Sequence, residues 1–234
     1  MRPNFTCGAL LLVALSSFGT TTASADTVYD DFKTKWRPIE FGIGASSEMV
    51  RNRLEITLDE AAGSGGDDFF ASGLFSTCAL KGDFDIRASY RLLVWPSQNG
   101  TRVALFLGSL AELGSDAGIY VERDSFSPAD AAPAPEEYIF FGDNGQTYSE
   151  QETDHTAGTL RLRRIGPTVT GYYRSGSTWI ELGTSVVGTQ SLRFGVVAYS
   201  HDTVFASHDV IVAFESVRVT SGTFAGNTCP LLTS

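Results

Sequence analysis

Apolar and polar residues alternate with a period of two along much of this chain, most clearly at Asp83–Leu92. One face of that segment is apolar and carries Phe84, Ile86, Ala88, Tyr90 and Leu92. Its other face is polar and carries Asp83, Asp85, Arg87, Ser89 and Arg91. Strict alternation of this length is typical of a β-strand with one buried face.

Similar patterns recur and predict around ten strands in all, with no helical period beyond the N-terminal segment. The other predicted strands are Val50–Leu58, Thr101–Leu107, Gly118–Glu122, Glu137–Phe141, Gly158–Ile165, Thr168–Arg174, Trp179–Leu182, Ser191–Tyr199 and Asp209–Val219. Asn99-Gly100 separates Asp83–Leu92 from Thr101–Leu107, which predicts a hairpin there. Phe126–Pro135 is rich in Pro and Ala and is expected to be a surface loop. Many strands without helices indicate an all-β sandwich or closed barrel.

The N terminus has the order of a secretory signal peptide. Arg2 precedes the apolar run Gly8–Leu15, and Ala23-Ser24-Ala25 is a small-x-small site with cleavage expected before Asp26. The run is shorter than the roughly 20 residues that span a bilayer, so no retained anchor is expected; the alternative is a buried N-terminal helix. Residues 1–25 are therefore predicted to be a signal peptide, residues 26–234 one domain, and the protein secreted or periplasmic.

Cys78 and Cys229 are the two cysteines that remain after cleavage. In an exported chain, two cysteines favour one disulfide bond, with two free buried thiols as the alternative. The bond would close a long loop, which is worth about 4–5 kcal/mol in the chain-entropy model.

Charge narrows the classes of partner. The whole chain has a formal charge of −10, and residues 1–25 contain one Arg and no acid, so the mature charge is −11. An acidic chain of this kind is a poor candidate for binding nucleic acid or an anionic membrane surface.

A series of short motifs runs through nearly all of the mature chain. They are Tyr29–Phe32 with Trp36, Arg53–Ile56, Gly73–Ser76, Gly82–Ile86 with Tyr90–Leu92, Gly158–Arg164, Tyr172–Arg174 with Trp179, and Phe214, Val217 and Val219. In this order they resemble bacterial secreted members of the concanavalin A-like lectin and glucanase superfamily, including laminin-G-like modules. The resemblance implies a jelly roll of two antiparallel sheets, with the first and last strands side by side and ligands bound on the concave sheet or the loop rim. Members include lectins, glycan hydrolases and lyases, and adhesion modules, so no single activity follows.

Catalytic and metal motifs are sparse. The Glu-x-Asp-x-x-Glu motif of the laminarinase-like branch is absent; Glu55, Asp59 and Glu60 form the nearest cluster, with the wrong spacing. A hairpin at His201-Asp202 and His208-Asp209 would bring two imidazoles close enough to bind a transition metal. Calcium is typical of the superfamily, and Asp30, Asp31, Asp143 and Asn144 carry suitable oxygens, but no calcium loop is recognisable and no cofactor is assigned.

A binding surface is the remaining candidate. Arginines expected on polar strand faces are Arg87, Arg91, Arg161, Arg163 and Arg193, and aromatic candidates for stacking are Trp95, Tyr172, Trp179 and Tyr199. Together they suit an extracellular glycan or cell-surface ligand, and the arginines favour an anionic glycan; the alternative is that the arginines pair with carboxylates across strands. The leading hypothesis is a non-catalytic glycan-binding or adhesion module, ahead of a glycan-cleaving enzyme and a structural extracellular domain.

Overall fold

The chain folds as two stacked antiparallel β-sheets, which confirms the predicted sandwich. The computed structural model describes residues 28–30, 32, 36–113, 117–127, 129, 136–142 and 147–225. These residues form fifteen strands and one turn of 3₁₀ helix at Leu110–Glu112. Within these residues, no helix is long and apolar enough to cross a membrane.

The strands of the eight-stranded sheet are β1 (Val28–Asp30), β3 (Ile43–Val50), β4 (Arg53–Gly63), β6 (Leu80–Val94), β11 (Ala157–Ile165), β12 (Thr168–Ser175), β13 (Thr178–Val186) and β15 (Val210–Phe224). Their order is β13-β12-β11-β6-β15-β4-β3, and β1 pairs with a further stretch of β15. The pairing of β1 with β15 confirms that the first and last strands lie side by side.

The strands of the seven-stranded sheet are β2 (Trp36–Phe41), β5 (Phe69–Ser76), β7 (Arg102–Gly108), β8 (Ile119–Asp124), β9 (Glu137–Gly142), β10 (Thr147–Glu152) and β14 (Arg193–His201). Their order is β10-β9-β8-β7-β14-β5-β2.

The main core lies between the sheets and uses the alternation seen in the sequence. On β6, the apolar face predicted from Phe84 to Leu92 is buried, with exposed fractions of 8% or less. Tyr138 from the facing sheet stacks on Tyr173 at 4.2 Å between ring centroids, and its hydroxyl lies 2.8 Å from the hydroxyl of Tyr90. Each fully buried large apolar side chain contributes roughly 1.5–3 kcal/mol, so this layer supplies most of the stability.

Two adjacent glycines make room for one ring where the sheets meet. Gly171 on β12 pairs with Gly183 on β13, and the ring of Phe140 on β9 lies against both. A Cβ atom on Gly171 would be 2.2 Å from the Cδ2 atom of Phe140. The close approach of the sheets at this point therefore depends on glycine.

The predicted hairpin between Asp83–Leu92 and Thr101–Leu107 is wrong. Strand β6 pairs with β11 and β15, whereas β7 belongs to the other sheet and pairs with β8 and β14. The segment between them crosses from one sheet to the other, and Asn99 within it is fully buried. Asn99 Oδ1 accepts from the Thr101 amide at 2.8 Å, so it stabilises a crossing loop instead of a hairpin turn.

The expected histidine hairpin is also wrong, for the same reason. His201 ends β14 in the seven-stranded sheet, whereas β15 begins in the eight-stranded sheet just after His208. Among the described residues, no group of three His, Cys, Asp or Glu side chains is arranged to bind a metal. Asp31, Asp143 and Asn144, named above for calcium, lie outside the described residues.

Of the two cysteines, Cys78 follows β5 and is buried, with 2% of it exposed. Cys229, like the expected signal peptide and most of Phe126–Pro135, lies outside the described residues. The disulfide bond therefore stays a prediction.

Candidate functional site

The outer face of the seven-stranded sheet is unusually apolar. A second cluster of buried side chains lies there, separate from the main core: Ile39, Ala71, Phe75, Ala104, Phe106, Leu113, Tyr120, Val197 and Tyr199. Its rings bury one another, since Phe106 stacks on Tyr120 at 5.2 Å and Tyr120 lies 6.2 Å from Tyr199, between centroids. An exposed sheet face more often carries polar residues, and aromatic clustering of this kind is typical of a binding surface.

Strand register sets polar groups into this aromatic face. Tyr120, Glu122 and Asp124 share one face of β8 because they alternate along the strand. Arg102 on β7 lies opposite Asp124, and Tyr199 on β14 lies opposite Arg102. Three adjacent strands therefore bring two carboxylates, one guanidinium and two phenols together.

We call the resulting cavity the aromatic groove; its volume is about 250 Å³. Its aromatic members are Tyr120, Phe126, Phe141, Tyr148 and Tyr199, and its polar members are Arg102, Glu122, Asp124 and His201, with Ile139 completing the lining.

The polar members bind one another through short contacts. The hydroxyl of Tyr199 donates to Glu122 Oε1 at 2.5 Å. Arg102 Nε donates to Asp124 Oδ2 at 3.1 Å and lies 3.9 Å from Glu122 Oε2. The guanidinium carbon of Arg102 is 5.7 Å from the centroid of the Tyr199 ring. Arg102 is thus ion-paired with both Glu122 and Asp124, which orients the two carboxylates.

Burial dominates the acid–base properties of the groove. It raises the pKa of Glu122 to about 7, since the nearby charge of Arg102 only partly offsets the desolvation and the charge of Asp124 adds to it. Burial and the Glu122 charge raise the pKa of Tyr199 well above its ordinary value. Burial and Arg102 lower the pKa of His201, although its Nδ1 is 3.7 Å from Asp68 Oδ2. A carboxyl group that titrates near neutrality is suited to proton transfer.

No family model matches the chain, and no curated protein does. Solved structures do match it. Lectin I-B4 from Griffonia simplicifolia has a TM-score of 0.56 at 12% identity, covering 80% of this chain and 93% of the lectin. The Ca²⁺/Man3GlcNAc-bound exoplasmic/lumenal domain of VIP36 has a TM-score of 0.56 at 10% identity, covering 87% of this chain and 90% of that domain. A prokaryotic β-1,3-1,4-glucanase (lichenase) derived from a mouse hindgut metagenome has a TM-score of 0.58 at 7% identity, covering 82% and 98%.

The chain has the concanavalin A-like jelly-roll fold. This confirms the jelly-roll fold that the resemblance implied. At such low identities the likeness concerns the fold, and lectins and glucanases both share it.

Within this concanavalin A-like fold, the binding residues predicted from sequence are split between opposite outer faces. Tyr199 lines the aromatic groove, and Arg193 is exposed farther along the same strand. Arg87, Arg161, Tyr172 and Trp179 come together on the outer face of the eight-stranded sheet. The predicted set therefore describes two surfaces and not one.

The other predicted residues lie apart from these contacts. Arg91 pairs with Glu215 at 3.0 Å, and Arg163 is exposed opposite Asp85. Trp95 packs against the main core, and its Nε1 donates to Glu136 Oε1 at 3.0 Å. Glu55, from the acidic cluster with the wrong spacing, pairs with Arg53.

The sequence search missed the polar centre of the groove. Glu122 and Asp124 have the Glu-x-Asp spacing that begins the laminarinase-like motif, but Ser127 stands where its final Glu would be. Because the motif requires all three acids, it does not identify Glu122 and Asp124 as a candidate pair. Arg102 was missed because its partners, Glu122 and Asp124, lie on a neighbouring strand, and the sequence does not show that β7 and β8 are paired.

Proposed function

We propose that this chain is a secreted glycan-binding protein and that the aromatic groove is its ligand site. The single observation that carries the proposal is a cavity on a sheet face in which aromatic rings surround hydrogen-bonding carboxylates. Sugar rings present apolar C–H faces that pack on aromatic side chains, and their hydroxyls bond to fixed polar groups. Structures of similar fold include a glycan complex, the Man3GlcNAc-bound domain of VIP36.

Tyr148 is the best candidate for stacking on a sugar ring. It lies on β10 at the end of the groove, is 49% exposed, and meets Phe141 edge-on at 6.2 Å and 87° between ring planes. This leaves ring surface available to a ligand. Since the side chain is not part of the buried clusters, its removal should leave the fold intact.

The proposal predicts that Tyr148→Ala weakens glycan binding roughly fivefold or more without lowering the unfolding temperature. Stacking of a base on an aromatic ring is worth about 1–3 kcal/mol, and a sugar face is expected to be at the lower end of that range. A glycan array with the mature domain would identify a ligand, and calorimetric titration of wild type and variant would measure the loss. Ile43→Ala, at an exposed apolar position on the other sheet that belongs to neither candidate site, is the control. Absence of binding to any arrayed glycan, or equal losses in both variants, would contradict the proposal and favour a structural role.

Glycan cleavage is the second candidate, and the environment of Glu122 favours it. A glycosidase needs one protonated acid and one ionised carboxylate facing the bond, and environments that separate two pKa values assign such roles. Burial raises the pKa of Glu122 to about 7, while Asp124 is ion-paired with Arg102. In this candidate Glu122 is the acid and Asp124 the carboxylate.

The same glycans distinguish the two candidates. Incubation of each bound glycan with the protein should release no new reducing ends if the groove only binds. Release that is abolished by Glu122→Gln, while binding persists, would replace the binding-only proposal with hydrolysis. A mixed-linkage β-1,3-1,4-glucan is the first substrate to test, because a similar fold belongs to an enzyme of that name.

A further inference from the structure

The outer face of the eight-stranded sheet places three arginines directly side by side. Arg161 on β11 lies opposite Arg87 on β6, and Arg87 lies opposite Arg218 on β15. Like charges placed directly across strands destabilise a sheet. A row of three in a chain of net charge −10 therefore needs a reason beyond folding.

One carboxylate offsets part of this charge. Asp85 accepts from Arg87 Nη2 at 3.1 Å and from Arg161 Nε at 3.0 Å. Although burial opposes ionisation, these two arginines lower the pKa of Asp85. Arg163 and Arg174 add positive charge on the same face, whereas Asp83 and Glu181 add negative charge, so five arginines stand against three carboxylates there.

Aromatic rings orient the guanidinium groups. The centroid of Trp179 lies 5.2 Å from the guanidinium carbon of Arg87 and 5.0 Å from that of Arg161. Tyr172 contacts Arg161 from the next strand, at 5.1 Å. These contacts and Asp85 hold the guanidinium groups of Arg87 and Arg161 in place before any ligand binds. A fixed orientation lowers the entropy cost of binding.

A cavity of about 300 Å³ lies beside this row and has a polar floor. Arg87, Arg174, Arg218 and Trp179 form its charged and aromatic walls. Hydroxyl groups line the remainder, among them Ser89 and Thr159, whose oxygens are 3.2 Å apart. We call the row and this cavity together the arginine surface.

We propose that the arginine surface binds an anionic glycan through its carboxylate or sulfate groups. A guanidinium group can donate two parallel hydrogen bonds to a carboxylate or to two oxygens of a tetrahedral oxyanion such as sulfate. Neighbouring strands about 4.8 Å apart repeat the positive charge at intervals that suit a chain with regularly spaced anions. The hydroxyl-lined floor suits sugar hydroxyls. This site lies on the opposite sheet from the aromatic groove, so it does not depend on the function proposed for the groove.

The test uses the mature protein and four probes: dextran sulfate, polygalacturonate, neutral dextran and a single-stranded oligonucleotide. Binding is measured by biolayer interferometry at low and moderate salt. The proposal expects binding of dextran sulfate or polygalacturonate, weakening as salt rises, and no binding of neutral dextran. The stronger of the two acidic probes identifies the anionic group that is preferred.

Variants locate the site. Arg87→Gln with Arg218→Gln should weaken binding at least tenfold. The fold should persist, because Arg161 still pairs with Asp85 after Arg87 is removed. Arg37→Gln with Arg193→Gln removes the same charge from exposed positions on the other sheet and should change affinity less than twofold. Tyr148→Ala should have no effect, which separates this site from the groove.

Equal losses in the two arginine pairs would reduce the effect to net charge and overturn the proposal. So would equal binding of neutral dextran. Tighter binding of the oligonucleotide than of both acidic glycans would assign the surface to nucleic acid instead.

Discussion

At the scale of single residues, Glu122 has the most unusual environment in the groove. It is 3% exposed and accepts a hydrogen bond from the Tyr199 hydroxyl. The cationic group of Arg102 lies farther away, with its Nε atom 3.9 Å from the Oε2 atom of Glu122. Its position could be deduced from the alternation of β8, but its burial could not. Burial depends on the aromatic rings that the neighbouring strands place around it, and the residues near Glu122 in the sequence do not predict which strands are its neighbours.

The raised pKa of Glu122 predicts a pH-dependent stability. The folded state binds this proton more tightly than the unfolded state, whose ordinary pKa is 4.5. The contribution of Glu122 to the free energy of unfolding is therefore full below about pH 4.5 and declines as pH rises through about 7, by roughly 3 kcal/mol.

Glu122→Gln should flatten that decline, because an amide does not titrate, and should make the protein more stable at pH 8 than wild type. Tyr199→Phe should extend the decline to higher pH, since it removes a hydrogen bond that favours the carboxylate. Urea unfolding at several pH values between 4 and 9 measures both effects. Parallel pH profiles for wild type and Glu122→Gln would show that this carboxyl does not control stability.

At the scale of elements, alternation revealed the strands that have one buried face. It missed β5, on which Phe70 faces the main core while Ala71 and Phe75 face the aromatic cluster, so that apolar and polar residues do not alternate. Strands β7 and β14 are also buried on both sides but were predicted. Alternation also missed β3, since residues on both of its faces are exposed. Partners of each strand, and hence the sheet it joins, depend on contacts between residues far apart in the chain.

The packing of β12 against Phe140 depends on the absence of a side chain at Gly171. Gly171→Ala should lower the free energy of unfolding by about 1–3 kcal/mol, because the added methyl overlaps the ring of Phe140. Phe140→Leu alone also destabilises by removing buried surface. If the clash is the cause, the double variant should be more stable than the sum of the two single losses. Strictly additive losses, measured by urea unfolding, would locate the cost elsewhere.

At the scale of the whole molecule, the sandwich separates two chemically different faces. One outer face holds the aromatic groove with its buried carboxylates, and the other holds the arginine surface. The superfamily fold and the polar face of β6 could be predicted from sequence. The separation into two faces could not be predicted from sequence. Tyr199 and Arg87 both lie on predicted strands, and only the pairing of those strands assigns them to different sheets.

The predicted export and the predicted disulfide bond share one measurement. Intact-mass analysis of the exported protein should give a chain that begins at Asp26, and alkylation without reductant should modify no thiol. After reduction, Cys78 and Cys229 should each take one alkyl group. A mass that retains residues 1–25, or alkylation before reduction, would contradict the respective prediction.

The pairing of β1 with β15 has a mechanical consequence. Val28 lies opposite Val219, and the strands run antiparallel, so the chain enters β1 and leaves β15 at the same end of the pair. A force that pulls the two ends apart would open this short ladder like a zipper, one hydrogen bond at a time, instead of loading all its bonds in shear. The aromatic groove lies on the other sheet, away from that path, whereas Arg218 of the arginine surface lies opposite Tyr29 in this ladder. A molecule tethered at both ends would therefore yield first at β1, which separates Tyr29 from Arg218 while both sheets stay folded.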